Sequence, residues 1–313
     1  MAGSARAQEG SAYPLKPVRI IVPSSPGGGT DTTARIVAPR LSELLGQTVI
    51  VENRAGAAAM LGSEFVARAP PDGYTLLIAP STLVIVPSLY RKMRFDPIKD
   101  LAPVGKLIVI PQLLVSHPSV PAKTLRDLMA LAKVRQGQLD YGAGAYGGNG
   151  HMSMALFLLM TGLDINYVPY KSGNAGIVET LSGEVPIMMG NLLTLMPHVR
   201  AGKLCAYGVT SARRVAGTAD LAAIPTIAES GVPGYDSSQW FGMLAPAGTS
   251  GAVITRLHRE VGRVLADATI RRRFQHDGGE ADASASAEEF GAFMRADLTK
   301  WAKVVKAAGL KQQ

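Results

Sequence analysis

Short apolar runs alternate with longer segments of helical periodicity along most of this 313-residue chain. The first run, Val18–Val22, is rich in β-branched residues, as buried strands are, and it stops at a segment dense in proline and glycine, 23–29. The next segment predicts a helix that is capped by Thr30 or Asp31 and ends near Leu45. The recurrence of this strand-and-helix order predicts an α/β fold with mostly parallel sheets flanked by helices.

The same patterns place the remaining elements and suggest where domains meet. Further strands are predicted at 48–52, 74–79, 166–170, 185–189, 204–210 and 240–245, and further helices at 58–68, 124–132, 152–160, 173–181, 252–267, 270–275 and 287–308.

A polar, proline-bearing stretch at 95–103 precedes a long extended run at 104–116, which is typical of a chain crossing between domains. The segment 224–234 resembles a return linker. The predicted domains are 17–103 with 227–313, and 104–226, after a tail at 1–16.

Two glycine loops, about 120 residues apart, each join a predicted strand to a predicted helix. The first spans Ser24 to Asp31, and the second runs from Gly142 to His151. Glycines let backbone N–H groups converge, and a helix N-terminus adds positive partial charge, so such a loop can bind a carboxylate. An ordinary strand-to-helix turn would use the same residues. Asp31 is interpreted as a helix cap rather than a ligand contact, and His151 as either a donor to a ligand or a residue that fills its loop.

The second loop also matches the dinucleotide pattern Gly142-x-Gly144-x-x-Gly147. A Rossmann unit needs an acidic residue at the end of the next strand, but that strand is followed by Lys171-Ser172-Gly173. The first loop lacks the Gly-Lys-Ser/Thr ending of a phosphate-binding P-loop, and no Gly-x-Ser-x-Gly elbow occurs. These missing residues disfavour an enzyme. A hydrolase or nucleotide-dependent enzyme is therefore kept only as the second hypothesis, after carboxylate binding.

Composition narrows the class of protein further. The formal net charge is +8, but the lysines and arginines are scattered and not interleaved with aromatics, which disfavours nucleic-acid binding. Cys205 is the single cysteine, so an intrachain disulfide and a multi-cysteine metal site are excluded, and the five histidines lack paired metal-ligand spacing. We expect no metal and no cofactor. No apolar run reaches the roughly 20 residues of a membrane helix, so we expect no direct membrane insertion.

The N-terminal residues Ser4-Ala5-Arg6-Ala7-Gln8 resemble the end of a signal peptide whose apolar region is missing, although an ordinary tail would read similarly. The first interpretation predicts an exported, periplasmic protein.

Several short motifs occur in a fixed order along nearly the whole chain. They are Tyr13-Pro14-x-Lys16-Pro17-Val18-Arg19, Pro26-Gly27-Gly28-x-x-Asp31, Val51-Glu52-Asn53-Arg54-x-Gly56, Pro71-Asp72-Gly73-Tyr74-Thr75-Leu76, Val168-Pro169-Tyr170-Lys171, Pro197-His198-Val199-x-Ala201-Gly202-Lys203-Leu204, Pro225-Thr226-x-x-Glu229-x-Gly231 and Ala245-Pro246-Ala247-Gly248-Thr249. With these motifs the sequence resembles the substrate-binding proteins of tripartite tricarboxylate transporters, also called the Bordetella uptake family.

The resemblance implies a two-domain, periplasmic-binding-protein-like clamp of type II that works as a monomer and without catalysis. Such a protein closes on a small organic carboxylate and delivers it to the membrane permease subunits of the transporter. The ligand contacts expected on this basis are Ser24, Ser25, Pro26, Gly27, Gly28, Gly29, Thr30, Asp31, Ser81, Thr82, Gly144, Ala145, Tyr146, Gly147, Asn149, His151, Tyr170, Gly190 and Asn191.

Three of these positions depart from the family's usual pattern. Ser24 stands where an aromatic is usual, Gly190 where an aspartate is usual, and Tyr146 adds bulk to a loop that is commonly small. An aromatic or less charged acid is then an alternative to a dicarboxylate. A ligand-sensing or scaffold protein that keeps the fold without tight binding is a further alternative.

Overall fold

The computed structural model describes residues 13–144, 146–170, 173–216, 218–276 and 278–312, apart from the side chain of Leu193. The signal-peptide-like residues near the N-terminus lie outside these ranges. The chain divides into two compact units. Unit 1 comprises Met1–Ile108, Trp240–Arg273 and Ala281–Thr299, and unit 2 comprises Val109–Gln239, Phe274–Glu280 and Lys300–Gln313.

Strands and helices alternate along the described chain. The strands are β1 Val18–Val22, β2 Val49–Asn53, β3 Thr75–Pro80, β4 Leu101–Ile110, β5 Gln112–Ser116, β6 Asp140–Ala143, β7 Asn166–Pro169, β8 Ile187–Asn191, β9 Cys205–Val209, β10 Gln239–Pro246 and β11 Glu280–Ala281. The helices are α1 Gly29–Leu45, α2 Met60–Ala67, α3 Thr82–Leu89, α4 Leu125–Val134, α5 Asn149–Thr161, α6 Gly173–Ser182, α7 Leu192–Arg200, α8 Ala219–Ala223, α9 Gly251–Ala266, α10 Ala268–His276 and α11 Ala287–Ala307.

Unit 1 is built on a six-stranded sheet with the order β11-β4-β10-β3-β1-β2. Strand β1 runs parallel to β2 and β3, whereas β10 runs antiparallel to β3. Ile20, Ile21, Leu76 and Leu77 are fully buried, as expected for strands covered on both faces. Because β1 runs parallel to β2 and β3, the carboxyl ends of these three strands share one edge of the sheet.

Unit 2 is built on a five-stranded sheet with the order β7-β6-β8-β5-β9. Strand β6 runs parallel to both β7 and β8, and β5 runs antiparallel to both β8 and β9. The apolar cluster beneath this sheet includes Leu113, Met188, Leu195 and Val209. Parallel pairing brings the ends of β6, β7 and β8 to a common edge.

The α/β fold of two units is confirmed, but both sheets are mixed rather than mostly parallel. The extended run at 104–116 is two strands, because β4 ends at Ile110 and β5 begins at Gln112 in the other sheet. Strand β5 pairs antiparallel with β8 and β9, which makes the second sheet mixed. Helix α7, which contains Pro197, was not predicted, because an internal proline normally argues against a helix.

Candidate functional site

The first glycine loop lies between β1 and α1 in unit 1. Gly27 has a φ of 79°, which favours glycine, and Gly28 is the extended N-cap with φ −72° and ψ 162°. Because α1 begins at Gly29, the prediction that Thr30 or Asp31 caps the helix is wrong. A glycine cap has no side chain to bind the first-turn N–H groups, which also lack intrahelical acceptors.

Asp31 lies in the first turn of α1 and holds this loop together. One carboxylate oxygen, Oδ2, accepts a hydrogen bond from the Gly27 N–H at 2.9 Å and one from Arg35 Nε at 3.0 Å. The other, Oδ1, accepts one from Asn53 Nδ2 at 2.8 Å, and the same amide also donates to the Ser24 carbonyl at 3.1 Å. Burial raises the pKa of Asp31, but the hydrogen bonds from Arg35, Gly27 and Asn53 outweigh it and hold the pKa below its usual value. The carboxylate is therefore ionised at neutral pH.

The second glycine loop, between β6 and α5 in unit 2, repeats this geometry. Gly147 has a φ of 76°, Gly148 is the extended N-cap with φ −68° and ψ 162°, and α5 begins at Asn149. The Gly147 N–H donates to Nδ1 of His151 at 3.0 Å. Ala145, which was also predicted as a contact, lies outside the described residues.

His151 is buried as a neutral ring in a group of aromatic side chains. Burial lowers its pKa to about 4. Its ring stacks on that of Tyr167, with the ring centroids 4.1 Å apart. The centroid of the Tyr146 ring lies 4.9 Å from that of His151. Since Nδ1 accepts the Gly147 N–H, the hydrogen-bond geometry assigns the ring proton to Nε2.

Two tyrosine hydroxyls also fix the second loop. Tyr167 donates to the carbonyl of Gly144 at 2.6 Å, and Tyr146 donates to the carbonyl of Lys311 at 3.1 Å. Burial raises the pKa of Tyr167 to about 12, so its hydroxyl stays protonated and remains a donor. The bulk that Tyr146 adds to the loop is thus engaged with His151 and with the C-terminal segment of the chain.

The two loops correspond residue by residue, with Gly27, Gly28 and Asp31 matching Gly147, Gly148 and His151. In each, the side chain four residues after the first glycine accepts that glycine's N–H. The loop is therefore held in one conformation, and it precedes a helix N-terminus, whose positive partial charge attracts an anion. A carboxylate is a suitable anion for either loop.

Other predicted residues in unit 1 lie at the same sheet edge as the first loop. Ser81 directly follows β3, which is the parallel neighbour of β1, and Thr82 begins α3. Ser81 is buried, and its N–H donates to the carbonyl of Trp240 at 2.9 Å. Ser24 lies at the start of the loop, and its hydroxyl is buried without a hydrogen-bond partner among the described residues.

The predicted residues of unit 2 also gather at one sheet edge. Tyr170 follows β7, its N–H donates to the Ala143 carbonyl at 3.2 Å, and its ring packs against Gly142 and Gly176. Asn191 is the last residue of β8, which is parallel to β6.

Gly190 has a packing role that sequence reasoning did not anticipate. A Cβ at this position would lie 3.0 Å from Cε of Met188 and 3.1 Å from Cδ1 of Leu195. An aspartate side chain here would be directed at these apolar groups, so the departure at Gly190 is coupled to the packing of unit 2.

Sequence reasoning missed the residues that support the loops, namely Arg35, Asn53 and Tyr167. A signal for two of them was present: Arg35 lies four residues after Asp31 on the same helix face, and Asn53 ends the strand next to β1. Nothing in the sequence marked Tyr167, because its contact with His151 depends on the pairing of β7 with β6.

Within the described residues, no group of three or more histidine, cysteine, aspartate or glutamate side chains could hold a metal ion. None of the helices described is both long and apolar enough to cross a membrane.

The architecture is that of two α/β units, each with a glycine loop between a strand and a helix at a sheet edge. Residues 33–310 match the model of the TctC family, described as the tripartite tricarboxylate transporter family receptor. The chain therefore belongs to this family. It is 34% identical over 312 residues to Protein BugT of Bordetella pertussis, covering 99% of this chain and 94% of that relative.

Solved structures of periplasmic binding proteins are also similar to this chain. R. palustris Rpa4515 with adipate is 35% identical with a TM-score of 0.84, covering 96% of this chain and 100% of that one. The periplasmic binding protein BugD is 30% identical with a TM-score of 0.81 and the same coverage. MatC from Rhodopseudomonas palustris with bound malate is 27% identical with a TM-score of 0.79, covering 94% and 100%.

Proposed function

We propose that this protein captures a small organic carboxylate in the periplasm and delivers it to the permease subunits of a tripartite tricarboxylate-type transporter. In this role it is a monomeric receptor that performs no catalysis and uses no cofactor. The family supports the receptor role, and the adipate and malate in related structures support a carboxylate as ligand.

The observation that carries the proposal is the correspondence of the two glycine loops. In both, the first glycine's N–H donates to a buried acceptor, Asp31 or His151, which fixes the loop at the positive end of the following helix, where an anion is favoured. We infer that each loop can bind a carboxylate group. A Rossmann-like nucleotide site would instead need an acidic residue after β7, where Lys171 and Ser172, which lie outside the described residues, stand in the sequence.

Ser24 supports an aromatic acid as the competing ligand class. Its hydroxyl is buried without a partner among the described residues, and no aromatic ring occupies this position. The family resemblance implies an aromatic at this position, so its replacement by Ser24 keeps a ring-bearing acid as the competing ligand class.

Isothermal calorimetry with adipate, malate, benzoate, NAD and ATP tests the proposal. We expect adipate or malate to bind, benzoate to bind more weakly, and neither nucleotide to bind. Tighter binding of benzoate than of both dicarboxylates would assign the aromatic class instead. Binding of NAD or ATP with no response to any acid would contradict the proposal.

A matched pair of variants locates the binding. A Cβ at Gly28 would lie 3.3 Å from the Ser25 carbonyl and 3.5 Å from the Ser24 hydroxyl, so Gly28→Val crowds the loop. Gly251→Ala, at the start of α9, meets nothing within 4 Å and serves as the control. We expect Gly28→Val to lower affinity at least tenfold, the equivalent of about 1.4 kcal/mol, because hydrogen bonds to an anion are each worth that much or more. Equal affinity in the two variants would place the ligand elsewhere.

A ligand-sensing or scaffold protein of the same fold is the second candidate, which the departures at Ser24 and Gly190 from the family's usual pattern allow. Mass spectrometry of gently purified protein distinguishes the two, since a transport receptor is expected to retain a carboxylate. Protein that carries no ligand and responds to none of the acids above would favour the scaffold.

A further inference from the structure

One face of α9, in unit 1, carries three arginines grouped around a single buried carboxylate. Nη1 of Arg256 and Nη2 of Arg259 lie 3.4 and 2.9 Å from Oε1 of Glu260, and Nη1 of Arg263 lies 2.8 Å from Oε2. The arginine side chains are 36%, 58% and 59% exposed, whereas that of Glu260 is 0% exposed. Solvent therefore meets positive charge on this face, while the negative charge lies beneath it.

Glu260 fixes the orientation of these arginines. Positions 256, 259, 260 and 263 fall on one stripe of the helix, because they recur at intervals of three or four residues. Burial raises the pKa of Glu260, but the hydrogen bonds from Arg259 and Arg263 outweigh this and hold it below its usual value, so the carboxylate is ionised. A guanidinium has five N–H groups, and those not bound to Glu260 stay available for another anion. The side-chain entropy of the arginines is already partly lost, which favours binding.

The next residue on this stripe is Asp267, the C-cap of α9, whose carboxylate pairs with Nε of Arg40 at 3.6 Å, and a further arginine lies beyond it. Arg271, on α10, donates from Nε to the carbonyl of Leu265 at 2.8 Å, which places it at the end of α9. On the other side, Arg256 donates to the carbonyl of Leu44 at 3.2 Å, so the C-terminal end of α1 borders the face. We call Arg256, Arg259, Arg263 and Arg271 the arginine face.

Exposed apolar anchors are missing from this region. The exposed large apolar side chains of the described chain all lie outside 251–276; they are Leu15, Ile50, Leu61, Val134, Leu159, Met160 and Val178. Protein interfaces usually centre on a buried apolar or aromatic anchor, so this face is poorly suited to a protein partner. A purely ionic surface is better matched by an array of phosphates.

We propose that the arginine face docks on anionic phospholipid headgroups at a membrane surface. The guanidinium fork matches the geometry of a phosphate, with two parallel N–H bonds. From Arg256 to Arg263 the stripe extends about 10 Å along the helix axis, so its cations meet several neighbouring headgroups rather than one small ligand. The attraction is electrostatic and adds to the proposed receptor function by keeping the protein near the membrane.

Co-sedimentation with lipid vesicles tests this docking. Wild-type protein is expected to bind vesicles that contain phosphatidylglycerol, to bind pure phosphatidylcholine vesicles far less, and to be released by salt. The double variant Arg259→Gln with Arg263→Gln is expected to bind about thirtyfold more weakly, since each basic side chain near an anionic surface contributes roughly a fivefold gain. Circular dichroism and the melting temperature confirm that the variant is folded.

The control removes the same charge elsewhere. Lys133 and Arg213 are exposed side chains of unit 2, and Lys133→Gln with Arg213→Gln also lowers the net charge by two. We expect this variant to bind vesicles nearly as well as wild type. Equal losses in both double variants would show attraction by overall charge alone, and absence of wild-type binding would show no lipid docking; either result overturns the proposal.

Two further measurements separate headgroup docking from related possibilities. Arg259→Lys with Arg263→Lys keeps the charge but removes the planar forks, so we expect weaker vesicle binding than wild type. Full retention of binding would overturn the role of the guanidinium geometry. Inorganic phosphate is expected to leave the melting temperature of both wild type and the glutamine variant unchanged, whereas stabilisation of wild type alone would assign a free-phosphate site instead.

Discussion

At the scale of single residues, the two glycine loops use different chemistry for the same purpose. Asp31 and His151 each accept the N–H of the first glycine, but Asp31 carries a charge that Arg35 balances and that Asn53 hydrogen-bonds, whereas His151 is neutral and stacked on Tyr167. The first loop therefore depends on an ion pair and the second on an aromatic environment. The two should respond differently to substitution and to pH.

Replacing Asp31 by asparagine tests the first loop. One acceptor oxygen becomes an NH2 group, which faces the donors of Asn53 or Gly27, and the charge that pairs with Arg35 is lost. We expect the free energy of unfolding to fall by about 1–3 kcal/mol, as for a buried donor left unsatisfied. Urea unfolding at neutral pH measures the change. Asp164→Asn, at an exposed position of unit 2, is the control, and an equal effect there would contradict the role assigned to Asp31.

The second loop is expected to be sensitive to pH through His151. Its pKa falls from the ordinary 6.5 to about 4 in the folded protein, so between these values the unfolded chain binds a proton that the folded chain does not. Stability is thus expected to fall as the pH drops from 6.5 to 4, by at most about 3 kcal/mol. Urea unfolding across this range, for wild type and for His151→Gln, measures it. The variant should lose this part of the slope, and an unchanged slope would assign the dependence to other groups.

At the scale of elements, the contact between α5 and β8 sets the position of the second loop. A Cβ at Gly150 would lie 2.3 Å from the carbonyl oxygen of Met189, so the start of α5 approaches the β8 backbone more closely than any side chain allows. We expect Gly150→Ala to destabilise the protein by about 3 kcal/mol or more, because backbone atoms must move. Thermal unfolding monitored by circular dichroism tests this.

The control lies at the other end of the same helix. Gly162 has a φ of 66° and open space around it, so Gly162→Ala should cost only the conformational penalty of roughly 1 kcal/mol. If the two alanine variants were equally stable, the close approach of α5 to β8 would be disproved.

Most elements could be predicted from local pattern, whereas their partners could not. The capping box of α4, in which Thr124 and Asp127 bind each other's backbone N–H groups, is encoded in adjacent residues, and the predicted helix there is confirmed. The start of α1 was misplaced, because Thr30 and Asp31 are strong capping types and only the fold shows that Asp31 serves Gly27 instead. The direction of β5 and the contact of Tyr167 with His151 depend on strand order, which no local pattern contains.

At the scale of the whole molecule, the ordered motifs carried more information than either loop. The Gly142-x-Gly144-x-x-Gly147 pattern taken alone suggested a nucleotide site, yet the chain belongs to a receptor family. The motifs around Asn53 and Tyr170 lie at the strand ends beside the loops, so they mark support for the loops rather than independent features. Several motifs in a fixed order, each supplying residues that support a loop, therefore specify a site more strongly than one glycine pattern does.

The last prediction concerns the whole molecule in solution. The family resemblance implies that a receptor of this kind closes on its ligand, and closure reduces the radius of gyration. We expect small-angle scattering to give a smaller radius for wild-type protein with saturating adipate or malate, whichever binds in calorimetry, than without it. Gly28→Val, which crowds the first loop, should show no change at the same ligand concentration. A radius that is unchanged in wild-type protein, under conditions where calorimetry shows saturation, would mean that binding occurs without closure.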